Sequence, residues 1–259
     1  MKFINTMEQN KDQGSLDPEE VLQFDQEAEA WWDPNGIFKP LHEMNPCRLH
    51  IIKNYLCDYF NRAYAEKKPL AGLKILDIGC GGGLLTEPLA RLGATVTGLD
   101  AGIRSIETAR CHAQAMEIDI AYHAMTAEAF VDMGHQFDCV ISLEVLEHLA
   151  SIPPFLKACQ KLLNPQGTLI LSTLNRTPKS FLGAIVAGEY ILKWLPRGTH
   201  DWKKFIKPSE LAGYLSAQGL AVKSFTGMAY DIFSSTWRHT QRLDINYFCM
   251  AENPSSIQV

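Results

Sequence analysis

The sequence predicts an α/β protein built on a seven-stranded, mostly parallel sheet. Three observations predict it. Short apolar runs alternate with helical stretches from Lys74 to Leu163, the pattern of strands covered by helices on both faces. A glycine-rich turn, Gly79-Cys80-Gly81-Gly82-Gly83, follows the first run and opens a helix. Asp100 closes the next run, about twenty residues on, at the end of the sheet where such folds bind ligands.

The elements follow in order. Residues 1–17 are polar and read as frayed. Asp17-Pro18-Glu19-Glu20 starts a helix running to about Trp32, with a capping Asp, Pro in the first turn and acids behind it. Asp33-Pro34-Asn35-Gly36 is a turn. A second helix is expected after Asn45-Pro46, with Leu49, Ile52, Leu56 and Tyr59 at helical spacing. Strands are expected at 74–78, 94–99, 120–124, 137–142, 168–173, 221–226 and 245–250, with helices at 84–92, 103–116, 154–163 and 209–218.

The 259 residues suit one compact domain. Residues 1–259 are therefore read as a single domain, with a helical cap over 1–70 and an insertion over 175–208. Hydrophobic residues at 46% and charged residues at 20% exclude wholesale disorder. Twenty-four Lys and Arg against 29 Asp and Glu give a net charge of −5, which argues against nucleic acid as a partner. The seven cysteines include no C-x-x-C pair, so neither a disulfide framework nor a cysteine zinc site is expected, and reduced thiols in the cytoplasm are the simpler reading. Met1–Gly14 lacks the apolar stretch of a signal peptide, and no run reaches the ~20 apolar residues that span a bilayer.

Glycines in the first turn let the backbone approach a ligand closely, and the helix start adds N–H groups suited to an anionic one. Asp100 can accept hydrogen bonds from ribose hydroxyls. A nicotinamide site would want Gly or Ala where Leu84 stands, and no G-K-[ST] closes the loop as in a P-loop. The stretch Leu76-Asp77-Ile78-Gly79-Cys80-Gly81-Gly82-Gly83 instead resembles the first motif of class I S-adenosylmethionine-dependent methyltransferases, a Rossmann-like family. The resemblance implies that Gly79, Gly81 and Gly83 pack against the methionine part of the cofactor and that Asp100 binds its ribose.

Phe137–Ser142 leads into Leu143-Glu144-Val145-Leu146-Glu147-His148, which resembles the fourth-strand motif of the same family and implies Leu143 against the cofactor. On a helical turn Glu144, Glu147 and His148 can share one face. Two readings stay open. The three hold a divalent cation such as magnesium or zinc, which would acidify a phenolic acceptor. Alternatively His148 is the catalytic general base with no metal.

Further segments narrow the resemblance. They are Trp31-Trp32-Asp33, Phe38-Lys39-Pro40-Leu41-His42, Asn45-Pro46-Cys47-Arg48-Leu49, Ser172-Thr173-Leu174-Asn175-Arg176 and Gly198-Thr199-His200-Asp201-Trp202 through Pro208. Together they are similar to the ubiquinone-biosynthesis O-methyltransferases, over about Glu20 to Phe248. The resemblance implies methylation of two ring hydroxyls, on a polyprenyl catechol-type intermediate and on a demethylubiquinol. It implies Arg48 on the cofactor carboxylate, a metal site at Glu144, Glu147 and His148, and other ubiquinone-biosynthesis proteins as partners. Trp31, Trp32 and His42 are candidates to line an aromatic acceptor pocket. The rivals are another small-molecule methyltransferase and a non-catalytic cofactor-binding scaffold.

Phe181–Leu195 is mostly apolar, broken on a helical projection only by Glu189 and Lys193. From Arg176 to Lys207 seven basic residues stand against Glu189 and Asp201, a net of +5. An apolar stretch rimmed with cations reads as a membrane-facing insertion for an anionic surface. Peripheral association with the cytoplasmic side of the inner membrane is the expectation.

Overall fold

Apolar residues at successive positions of a strand point to opposite faces, so a strand apolar throughout must be covered on both. Strand β1 (Lys74–Ile78) does this: Ile75 packs into one core and Leu76 into the other. The same alternation runs through β4 (Phe137–Leu143) and β5 (Leu163–Leu174), with Cys139, Ile141 and Ile170 on one side and Val140, Leu169 and Leu171 on the other. These strands sit at the centre of one sheet in a computed structural model that describes residues 14–180, 202–231 and 234–254.

With β2 (Thr95–Asp100), β3 (Ala121–Ala124), β6 (Ala221–Asp231), β7 (Thr236–Thr240) and β8 (Asn246–Glu252), the sheet order is β3-β2-β1-β4-β5-β8-β6-β7. Neighbours from β3 to β5 are parallel, and β8 is antiparallel to both β5 and β6. The sheet is therefore mostly parallel but has eight strands, not the seven expected. The extra strand, Thr-Trp-Arg-His-Thr, pairs only with β6 at the edge and stays largely exposed, so it carries no apolar period to announce it.

Helices cover both faces. α2 (Lys39–Tyr59) buries Ile51, Ile52 and Leu56 against the core that holds Ile75 and Ile141. α6 (Ile152–Leu162) and α7 (Pro208–Ala217) bury Phe155, Leu156, Leu211 and Leu215 against the other core. α3 (Thr86–Arg91), α4 (Ile103–Ala115) and α5 (Ala127–Val131) complete the crossovers.

Two expectations in the cap are corrected. α2 begins at Lys39, seven residues before Pro46, and runs through that proline. An interior proline removes one helical hydrogen bond at a cost of about 3 kcal/mol. Here the buried face from Pro40 to Cys57 outweighs it. Residues 14–17 are not frayed: Ser15 is fully buried, its carbonyl accepts from Ala150 N at 2.9 Å, and Leu16 bridges to Leu149. The first helix, α1 (Pro18–Gln26), is also shorter than expected and passes into a 3₁₀ turn at Ala28–Ala30.

The apolar run at 181–195, with the residues on to 201, lies outside the described residues. Around it, Arg176 pairs with Glu210, Lys179 with Asp244 at 3.0 Å, and Lys204 with Glu20 at 2.9 Å. Part of the basic rim is thus neutralised within the protein. Among the described residues no helix is long and apolar enough to cross a membrane.

Candidate active site

A cavity of about 680 Å³ opens at the carboxyl ends of β1, β2 and β4, beneath the N-terminal cap, within the ~300–1,000 Å³ of ordinary small-molecule sites. Gly79, Gly81, Asp100, Arg48, Leu143, Glu144 and His148 line it. Gly83 and Glu147 do not.

At one end the site is made of main chain. Gly79, Gly81 and Gly83 take φ values of +75°, +52° and +90°. A side chain at Gly79 would strike Val145, and one at Gly81 would strike Trp31. The N–H groups of Gly79 and Cys80 donate to Leu99 O at 2.8 and 3.0 Å, tying the loop to β2. Asp100 accepts from Gly81 N through one oxygen (2.9 Å) and from Gly102 N through the other (2.8 Å). Burial raises its pKa against those two donors. Asp77, buried beside the loop, accepts from Thr86 Oγ1 at 2.7 Å, and burial pushes its pKa up to about 6. The sequence signal for Asp77 is a lone acid within an apolar strand.

The cap closes on this loop through aromatic residues. Trp31, 8% exposed, lies over Gly81 and Gly82, stacks on Phe38 at 3.8 Å and donates to Ser105 Oγ at 3.2 Å. Trp32 donates to Gly82 O at 2.9 Å and stacks on His112, whose Nδ1 is 2.7 Å from Glu87. His42 meets the Trp31 carbonyl at 2.9 Å, and Asn45 donates to Leu84 O at 2.6 Å. Of the three aromatic candidates only Trp31 lines the cavity. Trp32 and His42 bond to backbone instead.

At the other end the site is made of side chains. Leu143 ends β4, and Glu144 follows in the left-handed region at φ +56°, a conformation that costs a non-glycine residue of order 1 kcal/mol. It is held there by its own N–H to Ser172 O (3.1 Å) and by Ser172 Oγ (2.6 Å) and Asn246 Nδ2 (2.8 Å) donating to its carboxylate. Arg48, 6% exposed, stands 3.3 Å from the same carboxylate. That contact is an ion pair without hydrogen-bond geometry: Nε and Nη2 of Arg48 are buried with no hydrogen-bond partner. Burial works to raise the Glu144 pKa, but Arg48 and the Ser172 and Asn246 donors outweigh it, leaving it below the usual range. Burial and the Glu144 charge raise that of Glu147, whose carboxyl accepts from Thr173 Oγ1 at 2.8 Å.

His148 reaches the cap. Its Nδ1 is 3.0 Å from Glu20 Oε2, and Phe24 meets its ring edge-on at 5.0 Å. The His148 bond holds the Glu20 pKa down to about 2 against burial, helped by Lys204. Burial opposes the charged imidazole, but Glu20 and the neighbouring acids raise the His148 pKa above its ordinary value. Nothing in the sequence local to Glu20 or Asn246 marks these contacts, each across more than a hundred residues.

The three expected metal ligands are each engaged by other partners. Glu144 is engaged by Arg48, Ser172 and Asn246, Glu147 by Thr173, and His148 by Glu20. Among the described residues no group of three or more His, Cys, Asp or Glu could hold a metal ion. This arrangement does not fit a cation. A cofactor with a carboxylate and a ribose fits better, since a buried guanidinium with unsatisfied N–H groups faces the cavity that Asp100 also lines.

Residues 48–224 match the methyltransferase domain family. The chain is 46% identical over 242 residues to the ubiquinone biosynthesis O-methyltransferase of Chelativorans sp., covering 93% of this chain and 96% of that one. It is 47% identical over 244 residues to that of Roseobacter denitrificans, covering 94% and 98%. Magnesium protoporphyrin IX methyltransferase from Synechocystis, solved with bound S-adenosylhomocysteine, shares the fold at a TM-score of 0.55, with 21% identity and coverage of 79% of this chain and 81% of that one. With a cofactor-type cavity in a methyltransferase fold and relatives this similar along nearly its whole length, the chain belongs to the ubiquinone biosynthesis O-methyltransferase family.

Proposed function

We propose that this protein transfers a methyl group to a phenolic oxygen of a polyprenylated ring in ubiquinone biosynthesis, acting on a catechol-type intermediate and on demethylubiquinol. The observation that carries the reading is one cavity lined by a glycine loop, a strand-end acid, a buried arginine and a histidine. S-adenosylmethionine supplies an activated methyl group, the acceptor oxygen's electron pair forming the O–C bond as the C–S pair leaves on sulfur.

The chain's own residues bind and position. Gly79 and Gly81, which line the cavity, let the backbone approach the cofactor, Gly83 instead leaves room for Tyr122, and Asp100 takes the ribose. Arg48 offers its unsatisfied N–H groups to the carboxylate, while Leu143 packs against the cofactor. His148 takes the acceptor's phenolic proton as general base, a role worth ~10²–10⁴ in rate. The apolar run at 181–195, with its flanking cations, supports peripheral contact with an anionic membrane that carries the polyprenyl substrate. Loss of the run is expected to abolish co-sedimentation with anionic liposomes.

The direct test is product formation from labelled cofactor with a catechol or a demethylquinol. His148→Gln is expected to lower turnover ~10²–10⁴-fold while cofactor still binds. Cofactor binding without turnover on any phenol would favour a scaffold. Running the assay with a chelator adds one decision: activity lost on chelation would return Glu144, Glu147 and His148 to a metal role.

A further inference from the structure

We propose that Glu20, in the first turn of the N-terminal cap helix, is the positioning residue for His148. The inference rests on His148 being the base. His148 ends a 3₁₀ turn, Leu146–His148, in which its own N–H donates to Val145 O at 3.0 Å. Such a short turn does not by itself define the ring's orientation. α1 does. Glu20 accepts from Nδ1 at 3.0 Å, and Phe24, one helical turn further on, meets the ring edge-on at 5.0 Å with an 84° interplanar angle. A hydrogen bond in one direction and an apolar contact in another leave the imidazole little freedom to rotate.

Glu20 is itself immobilised. Its second oxygen accepts from Lys204 Nζ at 2.9 Å, and Lys204 also reaches Asp17, the capping residue of α1, at 3.4 Å. Both Glu20 oxygens are therefore committed, and the carboxylate cannot swing off the ring without giving up an ion pair. A carboxylate on Nδ1 keeps the proton there and leaves the lone pair of the neutral ring on Nε2. The acceptor's proton then passes to Nε2 with its electron pair staying on oxygen, and the imidazolium so formed lies against an anion. The cap thus completes the reactive centre from a part of the chain 128 residues away.

The test uses the full-length protein at saturating cofactor with a catechol acceptor. Glu20→Ala is expected to lower kcat ~10²-fold, with acceptor KM and cofactor affinity unchanged. Glu20→Gln keeps an acceptor for Nδ1 and is expected to recover part of the loss. In a His148→Gln background Glu20→Ala should have no further effect, because Glu20 acts only through the ring. Wild-type kcat in Glu20→Ala, or an equal further loss in the His148→Gln background, would overturn the assignment. If His148→Gln itself keeps wild-type turnover, the base reading falls, and the Glu20 assignment with it. If His148→Gln is inactive and Glu20→Ala is not impaired, only the Glu20 assignment falls. A raised KM at unchanged kcat would likewise count against it.

Discussion

The two ends of the cavity are built from different material. At the glycine loop the contacts are main-chain groups: Gly79 and Cys80 to Leu99, Gly81 and Gly102 to Asp100, Gly82 to Trp32. At the β4 end they are side chains that meet from four separate segments: Arg48, Glu144, Ser172 and Asn246 around one carboxylate, and Glu20 with His148 beside them. A main-chain site depends on conformation and tolerates only residues that fit it. A side-chain site depends on charge balance, so removing one member strands the others.

The largest expected effect follows from that charge balance. Glu144→Ala leaves the Arg48 guanidinium buried without a counter-charge, and breaking such a pair costs about 3–5 kcal/mol. Urea unfolding should show it. The paired change Arg48→Met with Glu144→Leu should recover most of the stability while still abolishing cofactor binding. If Glu144→Ala unfolds at the wild-type midpoint, the β4 end is not held together by charge.

An intermediate effect tests the other end. Gly81 and Gly134 both have positive φ, but a Cβ at Gly134 meets nothing within 4 Å whereas one at Gly81 runs into Trp31. Alanine at Gly134 should cost only the ~1–2 kcal/mol of the left-handed backbone. Alanine at Gly81 should cost more and weaken cofactor binding, measurable by calorimetric titration. Equal costs, with cofactor binding intact in both, would break the claim that the cap clamps the loop.

The smallest effect concerns Asp77. Burial raises its folded pKa from 3.8 to about 6, so the folded chain binds this proton more tightly than the unfolded one. The associated stability is present below about pH 4 and is lost as pH rises through about 6. Asp77→Asn removes that loss, and should melt higher than wild type above pH 6 but not below pH 4. A gap that opens at low pH instead would reverse the sign and refute it.

The same contrast explains what the sequence reveals. The glycine turn, Asp100 and the buried strands are legible because each depends on neighbours a few residues away. Seven of the eight strands announce themselves by apolar pattern, and the eighth, Thr236–Thr240, stays hidden because its side chains are largely exposed. Proline rules mislead at Pro46, where tertiary burial overrides a local cost. Glu144, Glu147 and His148 look like one ligand set because their spacing permits it. Their partners, Glu20 and Asn246, come from opposite ends of the chain and divide the set. Charge counting marks Arg176, Lys179 and Lys204 as a basic rim, yet Glu210, Asp244 and Glu20 neutralise them.

The position of β8 bears on how the molecule is made. It follows β6 and β7 in the chain but lies between β5 and β6, with Asn246 registered against Leu174 on one side and Met228 on the other. During synthesis the hairpin of β6 and β7 has no strand to join until β8 has left the ribosome, and the open edge of β5 waits unpaired meanwhile. Asn246 is also the residue that holds the Glu144 carboxylate at 2.8 Å. Insertion of this strand therefore zips the sheet shut and sets the reactive end of the pocket in one event, so a nascent chain stalled before it would carry the glycine loop without a finished centre.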